Sequence, residues 1–444
     1  MEPAQNFVDI ESRKEMGAFL IPTKLAEEYP ERNFLDRGGY GIVFGLEGNP
    51  NKKELAVKKF IEPFKYMGRA KKCFRELQLI GSLNHKNIVK LKSMYTTPAD
   101  PNSNEPFAVY LVTEYAGPDL RMWMNRETNE EKVFSMRDIK RIISELLRAL
   151  KYLNSAKVIH RDLKPDNMAI SCTTGRLTVL DFGFARAFDR GNQLTTDPGT
   201  CYYRSIETID KVDRERTAPA DERPSIRTKY DEKADMWSVG AILCEILTDK
   251  ILFKTEPATA LNTKDNPTLK AIELLGPISE CVLKKVSASC QKFLRDKTPL
   301  IQEEKATKGI PNRIDFLEYF QQNARCWHQA DISKERVALL NFIDRTLEWN
   351  PKKRLSVDAA LRHPFLAAAR AASEEVVAPH TIEDEADRPL EQWQKRIDEF
   401  IHTPRANDRV KRKVIAGIKA KKEKSRKEKA KKSTRTSPRR NGKK

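Results

Sequence analysis

Apolar positions change their period along this chain. Between residues 31 and 115 they fall in short β-branched and aromatic runs, Gly41–Phe44, Glu54–Phe60 and Phe107–Thr113, set off by polar and glycine-containing stretches, which predicts strands. A helical stretch at Gly68–Leu83 interrupts them, so this part reads as a sheet with one embedded helix. From Leu120 the period turns helical. Asp138–Leu153 sets Ile139, Ile142, Ile143, Leu146, Leu147, Leu150 and Leu153 on one stripe, as in a helix buried along one side. Asp235–Leu247 is apolar all round, too short to cross a bilayer and long enough to form the centre of a lobe. Residues 1–30 are polar and read as a loose lead-in. Asp210–Lys229 and Ser279–Gly309 are charged and look like insertions. Order returns over 374–401, where Leu390, Trp393, Ile397, Phe400 and Ile401 stand at helical spacing.

Charge separates the body from its end. The net charge is +19, and residues 405–444 carry 19 Lys or Arg against 3 acidic residues, leaving only about +3 for everything before them. After Thr403-Pro404 aromatic and large apolar residues nearly vanish, so a tail disordered when free is expected. Lys419–Arg440 interleaves Lys and Arg with Ser and Thr and has no apolar face to seat in a bilayer. It reads as a nuclear-localisation or nucleic-acid-binding segment, a partner site for nucleic acid or an import receptor. No transmembrane segment is expected, since no apolar run approaches roughly 18 residues, and the N-terminus lacks the charged and apolar regions of a secretory signal. Seven scattered cysteines without a C-x-x-C spacing point to reduced thiols in a cytoplasmic or nuclear protein.

The chemistry is concentrated in two places. Residues 158–167 read Val-Ile-His-Arg-Asp-Leu-Lys-Pro-Asp-Asn, and Asp181-Phe182-Gly183 closes the apolar run that follows. Phosphoryl transfer from ATP with Mg²⁺ needs a base to orient the attacking hydroxyl and oxygen ligands for the metal. Asp162 suits the first role, and Asn167 and Asp181 the second. Upstream, Leu35-Asp36-Arg37-Gly38-Gly39-Tyr40-Gly41-Ile42-Val43 takes the place of a glycine-rich phosphate loop, where close backbone approach excludes Cβ atoms. Asp36 stands where the first glycine of G-x-G-x-x-G is expected, a mildly repulsive carboxylate that would reduce nucleotide affinity. Lys58, in Ala56-Val57-Lys58, would contact the α- and β-phosphates, held by Glu76 from the helix that carries Arg75.

These residues, in this order, resemble the signature of eukaryotic Ser/Thr protein kinases over about residues 33–402. The resemblance implies an α+β, bilobal protein kinase fold: a kinase domain over 31–366, with a small β-rich N-lobe (31–115) and a larger helical C-lobe (120–366). An extension over 367–402 would pack back on the lobes, and a disordered basic tail would follow from 403. Lys164 resembles the ammonium that steadies the transferring phosphoryl group. Thr113 resembles the gatekeeper; Glu114, Tyr115, Ala116 and Gly117 the hinge whose backbone bonds adenine; and Asp119 the ribose contact. Val43, Ala56 and Ala169 would sandwich the base. Arg354 resembles the buried arginine that pairs with the glutamate closing the activation segment, here Glu207, and Asp235 the carboxylate that anchors the catalytic loop.

Within the kinases, Ala70-Lys-Lys-Cys-Phe-Arg-Glu-Leu77, Asn84-His-Lys-Asn-Ile-Val89, Tyr110-Leu-Val-Thr-Glu114 and Thr200-Cys-Tyr-Tyr-Arg204 are similar to the mitogen-activated protein kinases, especially the Jun N-terminal kinase branch. The resemblance implies that Arg75, Arg161 and Arg186 gather around a phosphothreonine, since clustered guanidinium groups are unfavourable until a dianion arrives. Thr195, twelve residues before Glu207, is the expected acceptor, with Thr196 second. Asp197 replaces the tyrosine of Thr-x-Tyr, and Cys201 an arginine that serves phosphotyrosine, so single-site activation is expected. Gly199 and Arg204 imply substrates with Ser/Thr-Pro sites. Glu374-Glu375 and Glu383–Glu385 are what is visible of an acidic groove for docking peptides. An upstream activating kinase and a monomeric, cytoplasmic and nuclear protein complete the expectation. A pseudokinase or scaffold, suggested by Asp36 and by Ser205-Ile206 in place of Ala-Pro, is the alternative, as is a kinase body whose basic tail is the principal binding module.

Overall fold

The computed structural model describes residues 7–13, 17–48, 54–98, 105–124, 134–187, 201–209, 231–255, 266–324, 327 and 334–403. Thr195, Thr196, Asp197 and Gly199, the stretch 210–229 and the basic tail lie outside them.

The first lobe is an antiparallel sheet of five strands: β3 (Glu31–Gly38), β4 (Gly41–Glu47), β5 (Leu55–Phe60), β6 (Leu91–Pro98) and β7 (Phe107–Glu114), in the spatial order β3-β4-β5-β7-β6. The three apolar runs of the sequence are β4, β5 and β7, and the two-residue connection at Gly39-Tyr40 turns β3 into β4. Helix α2 (Met67–Ser82) lies against the sheet, burying Ala70, Phe74, Leu77 and Ile80.

The segment before β3 is not a loose lead-in. Strands β1 (Phe7–Arg13) and β2 (Gly17–Pro22) form a hairpin, followed by α1 (Thr23–Glu28). Phe19 and Ile21 are buried, with the Phe19 ring 4.6 Å from Phe44 and 5.5 Å from Tyr110. Tyr110 Oη accepts from the Leu20 amide at 3.0 Å, and Tyr95 Oη donates to the Leu20 carbonyl at 3.1 Å. The alternating pattern of a half-buried strand is there, but it is so short and so flanked by charge that it reads as polar.

The second lobe is built on α4 (Met136–Ser155) and α5 (Lys233–Thr248), after the short α3 (Leu120–Met124). Ser135 caps α4: its hydroxyl accepts from the Asp138 amide at 3.2 Å and its own amide donates back to Asp138. Helix α5 is buried on every side, as its uniform apolarity requires, and ends at Asp249 in the left-handed region (φ 55°). The stretch expected as a charged insertion at 279–309 is folded; its helix Ala288–Thr307 buries Leu294 and Ile301, and Lys305 Nζ bonds the Glu273 carbonyl. The last helix, Leu390–His402, runs back to α2 and β6 and buries Trp393, Ile397 and Ile401, three of the five positions its spacing marked. Among the described residues no helix is long and apolar enough to cross a membrane.

Candidate functional site

The loop 160–167 is held between short strands. β8 (Val158–Ile159) pairs with β11 (Arg186–Ala187), and β9 (Met168–Ile170) with β10 (Leu177–Val179), so the residues after Ile159 and those after Val179 emerge side by side. Asp235 of α5 reaches under the loop: Oδ2 accepts from the His160 amide and Oδ1 from the Arg161 amide, both at 2.9 Å. This is the anchoring contact the resemblance implied. Arg161 (φ 69°) and Asp181 (φ 46°) both adopt left-handed backbone, which costs a non-glycine residue about 1–3 kcal/mol. His160 Nε2 meets the Leu180 carbonyl at 3.0 Å and its ring packs on Phe182, tying the two segments together.

Three of the expected residues meet at Asp162. Asn167 Nδ2 donates to its Oδ2 at 3.0 Å, Lys164 Nζ lies 3.7 Å from the same oxygen, and Arg204 Nη2 donates to Oδ1 at 3.1 Å. The Asn167 amide nitrogen also bonds the Asp162 carbonyl at 2.7 Å, which leaves its oxygen as the cation-binding end of the amide. Arg204, expected to bear on substrate specificity, covers one oxygen of the Asp162 carboxylate.

Lys58 of β5 binds Glu76 Oε1 at 2.6 Å and stands 3.5 Å from Asp181 Oδ1. Burial opposes the Lys58 charge, but Asp181 and Glu76 outweigh it and hold the ammonium well above the ordinary lysine range. Burial likewise opposes ionisation of Asp181, yet Lys58 and the Gly183 amide hold its carboxyl well below the usual carboxylate range. A methyl group at Gly41, the first residue of β4, would lie 2.8 Å from Lys58 Cε and 3.1 Å from the Lys59 carbonyl oxygen, so a side chain there would crowd the lysine that reaches Glu76.

One cation escaped the sequence reading. Lys72 sits one helical turn before Glu76 on α2, and its Nζ lies 3.0 Å from the Tyr40 ring centroid and 3.5 Å from that of Phe184. Burial pushes its pKa down to about 7; Asp181 opposes the shift and Lys58 adds to it. The signal was its spacing of four from Glu76. A second omission is the network beneath the loop, in which Arg121 binds Asp166 at 2.9 Å, Glu245 at 2.8 Å and Tyr203 Oη at 2.7 Å.

The residues expected to sandwich the base come from strands of both lobes. Ala56 pairs with Thr113 across β5 and β7, Val43 opposes Lys58, and Ala169 bridges Asp119. Leu35 is exposed and its side chain covers Gly45, while open space surrounds the Cβ positions of Gly38 and Gly39. In the connecting strand the Glu114 amide bonds the Lys90 carbonyl and the Tyr115 amide the Glu54 carbonyl, both at 2.9 Å, so these two donors of the expected hinge are already committed. Gly117 (φ 110°) passes so close to β9 that a Cβ would sit 2.3 Å from the Ile170 carbonyl oxygen. The Asp119 carboxylate accepts from the Met122 amide at 2.8 Å and caps α3.

The three arginines expected around a phosphothreonine already have partners. Arg75 and Arg186 both bind Asp384, and Arg161 Nε donates to the Phe184 carbonyl at 2.6 Å, so the three guanidinium groups do not stand as a cluster awaiting an anion. The acidic groove is also altered. Glu374 pairs with Lys86 and Arg148, Glu375 with Lys151 and Arg370, and Glu385 with Arg388 and Arg396. Glu374, Glu375 and Glu385 are each paired with a basic residue that folds against them, which a linear pattern does not reveal. Arg354 does bind Glu207, at 2.6 Å.

The chain has counterparts among known proteins. A family model described as a protein kinase domain matches residues 29–366. The chain is 30% identical over 376 residues to the mitogen-activated protein kinase HOG1 of Candida albicans, covering 83% of this chain and 84% of that one. It is 30% identical over 388 residues to the mitogen-activated protein kinase pmk-3 of Caenorhabditis elegans, 85% and 73% of the respective chains. To the stress-activated protein kinase JNK of Suberites domuncula it is 28% identical over 385 residues, 85% and 94%.

Proposed function

This chain belongs to the protein kinase family as a divergent mitogen-activated member, and we propose that it is a proline-directed Ser/Thr kinase switched through its activation segment. Ser/Thr protein kinase activity follows from the family; the specificity, the switch and the residue roles are our reading. The observation that carries it is the assembled Lys58–Glu76 pair at 2.6 Å with Asp181 at 3.5 Å, in the same structure as Asp162 bonded by Asn167.

ATP with Mg²⁺ would supply the phosphoryl group and neutralise its charge. The donors suit that metal. Mg²⁺ is commonly held by one or two carboxylates plus substrate phosphates, so Asp181 and the Asn167 amide oxygen suffice, and no cage of three acidic, His or Cys ligands exists among the described residues. Lys58 would orient the α- and β-phosphates, with Glu76 fixing its position. The Ala116 amide would serve adenine, since the two amides before it are committed. Asp162 would orient the substrate hydroxyl and accept its proton, with Lys164 beside the transferring group. Arg204 must first release the Asp162 oxygen that it covers, and this contact is what favours a second reading, a scaffold with a restrained base.

Transfer of phosphate from ATP to a Ser-Pro peptide, compared with Ser-Ala and with the Asp181→Asn variant, tests the reading. Faster transfer to Ser-Pro, abolished by Asp181→Asn, is expected. Equal rates on both peptides would remove the proline preference, and equally negligible transfer by wild type and variant would favour the scaffold. Activation above a basal rate is proposed at Thr195, with Thr196 second; mass spectrometry finding both unmodified in protein whose rate an upstream kinase has raised would exclude it.

Lys72 gives a pH signature. Because its pKa is depressed to about 7, its charge is present below that pH and lost above it. ATP affinity should weaken as pH rises through 7 in wild type, and Lys72→Met should flatten that part of the curve; titration calorimetry from pH 6 to pH 8.5, roughly spanning the shifted pKa, checks it. Protein substrates and an upstream kinase are the partners the family implies. A basic docking peptide would have to compete with Lys86, Arg148 and Lys151 for Glu374 and Glu375. We assign the tail a nuclear-targeting or nucleic-acid-binding role; steeply salt-dependent binding that survives deletion of 405–444 would refute this.

A further inference from the structure

Asp384 lies in the extension after the kinase domain, yet it sits at the junction of the two lobes. Arg75 Nε donates to its Oδ1 and Arg75 Nη2 to its Oδ2, both at 2.9 Å, and Arg186 Nε donates to Oδ2 at 2.9 Å. The side chains are nearly sealed from solvent: 4% exposed for Asp384, 4% for Arg75 and 5% for Arg186. Charges buried this completely persist only when paired with good geometry, which the side-on Arg75 fork provides. Burial opposes ionisation of Asp384, and the two arginines overcome it and lower its pKa.

The segment carrying Asp384 is fixed from several directions. The Ile382 amide donates to the Ala156 carbonyl at the end of α4, at 2.9 Å. Asp387 binds Lys71 at 2.5 Å, so Asp384 and Asp387, three apart, match Arg75 and Lys71, four apart on α2. Glu385 is held by Arg396 at 2.6 Å, and the helix beyond lays Trp393 on Phe74, with ring centroids 5.4 Å apart. Arg75 is the neighbour of Glu76, and Arg186 is in β11, beside the catalytic loop. One carboxylate thus joins the helix that positions Lys58 to the start of the activation segment, and the backbone two residues before it is tied to the end of α4.

We infer that Asp384 is a positioning residue for phosphoryl transfer, a resident anion that holds Arg75 and Arg186 together and so keeps Glu76 seated on Lys58. It rests on the proposed switch, because these are two of the three arginines assigned to phosphorylated Thr195. A carboxylate has two oxygens and one charge and serves two of them, whereas Arg161 spends its Nε on the Phe184 carbonyl. A phosphate, with a third oxygen and a second charge, could recruit all three. Loop phosphorylation then adds to a junction that is already organised, and the chain has basal activity without it.

The test uses the full chain with Thr195→Ala and Thr196→Ala, so that Asp384 is the remaining anion. In this background Asp384→Asn should lower kcat about tenfold with KM for ATP changed less than about twofold, and Asp384→Glu should restore most of the loss, as expected for a charge that positions. Hydrogen exchange supplies a second readout that does not depend on turnover: Asp384→Asn should speed exchange in residues 67–82 and leave 136–150 unchanged, with Asp384→Glu restoring protection. Unaltered kcat and exchange in Asp384→Asn, or Asp384→Glu as impaired as Asp384→Asn, would overturn the inference. If no variant, wild type included, transfers phosphate, the kinase reading fails, and the exchange result alone decides whether Asp384 holds α2.

Discussion

Asp162→Asn should lower kcat for peptide phosphorylation by about a thousandfold, in line with the contribution of a positioned general base, and leave ATP affinity within about twofold. The asparagine keeps the shape of the side chain and an acceptor for the Asn167 amide, so the loop remains anchored by Asp235. What disappears is the carboxylate that orients and deprotonates the hydroxyl. Lys58, Glu76 and Asp181, which would hold nucleotide and metal, are untouched. Steady-state kinetics with a Ser-Pro peptide and calorimetric titration with ATP separate the two effects. A loss carried entirely by KM would show that Asp162 binds substrate without assisting transfer. Arg204 adds a distinguishing feature: its ion pair with Asp162 is lost as well, so circular dichroism and the melting temperature must be compared to exclude a rearranged activation segment.

The candidate site is legible in the sequence because most of it is local. Asp162, Lys164 and Asn167 lie within six residues, and the strand turn between β9 and β10 brings Asp181 beside them with little choice of geometry. The buried stripe of α4 and the uniform apolarity of α5 announced themselves through period alone. The control elements were not legible. Arg75 and Asp384 are 309 residues apart and Arg186 and Asp384 are 198 apart, and an acidic residue in a charged stretch carries no mark of the cations it will meet. Lys72 lay in plain view at a spacing of four from Glu76, but whether a helix residue faces solvent or the cleft depends on how α2 packs on the sheet. The N-terminal hairpin was missed for a related reason: Phe19 and Ile21 are too few to show a period, and only their fit against Phe44 and Tyr110 gives them a buried side.

The largest stability effect is expected at Arg354, whose side chain is fully buried. Its Nη1 binds Glu207 at 2.6 Å and the Lys233 carbonyl at 2.7 Å, and its Nε binds the Glu348 carbonyl at 2.9 Å. Arg354→Ala removes every one of these donors and leaves a carboxylate and two carbonyls facing a void, so a loss of about 3–5 kcal/mol is expected. Urea unfolding followed by tryptophan fluorescence should record it as a lower midpoint, since Trp237 stacks beneath the guanidinium at 5.3 Å. The penalty arises chiefly from stranding Glu207, and a second variant isolates that cause. Replacing both partners, Arg354→Met with Glu207→Leu, takes away the uncompensated charge and should recover part of the loss, even though it deletes one more native side chain. A double variant no more stable than Arg354→Ala would mean that the arginine acts mainly through the carbonyls of Lys233 and Glu348, and that the closing glutamate of the activation segment is held by something other than this pair.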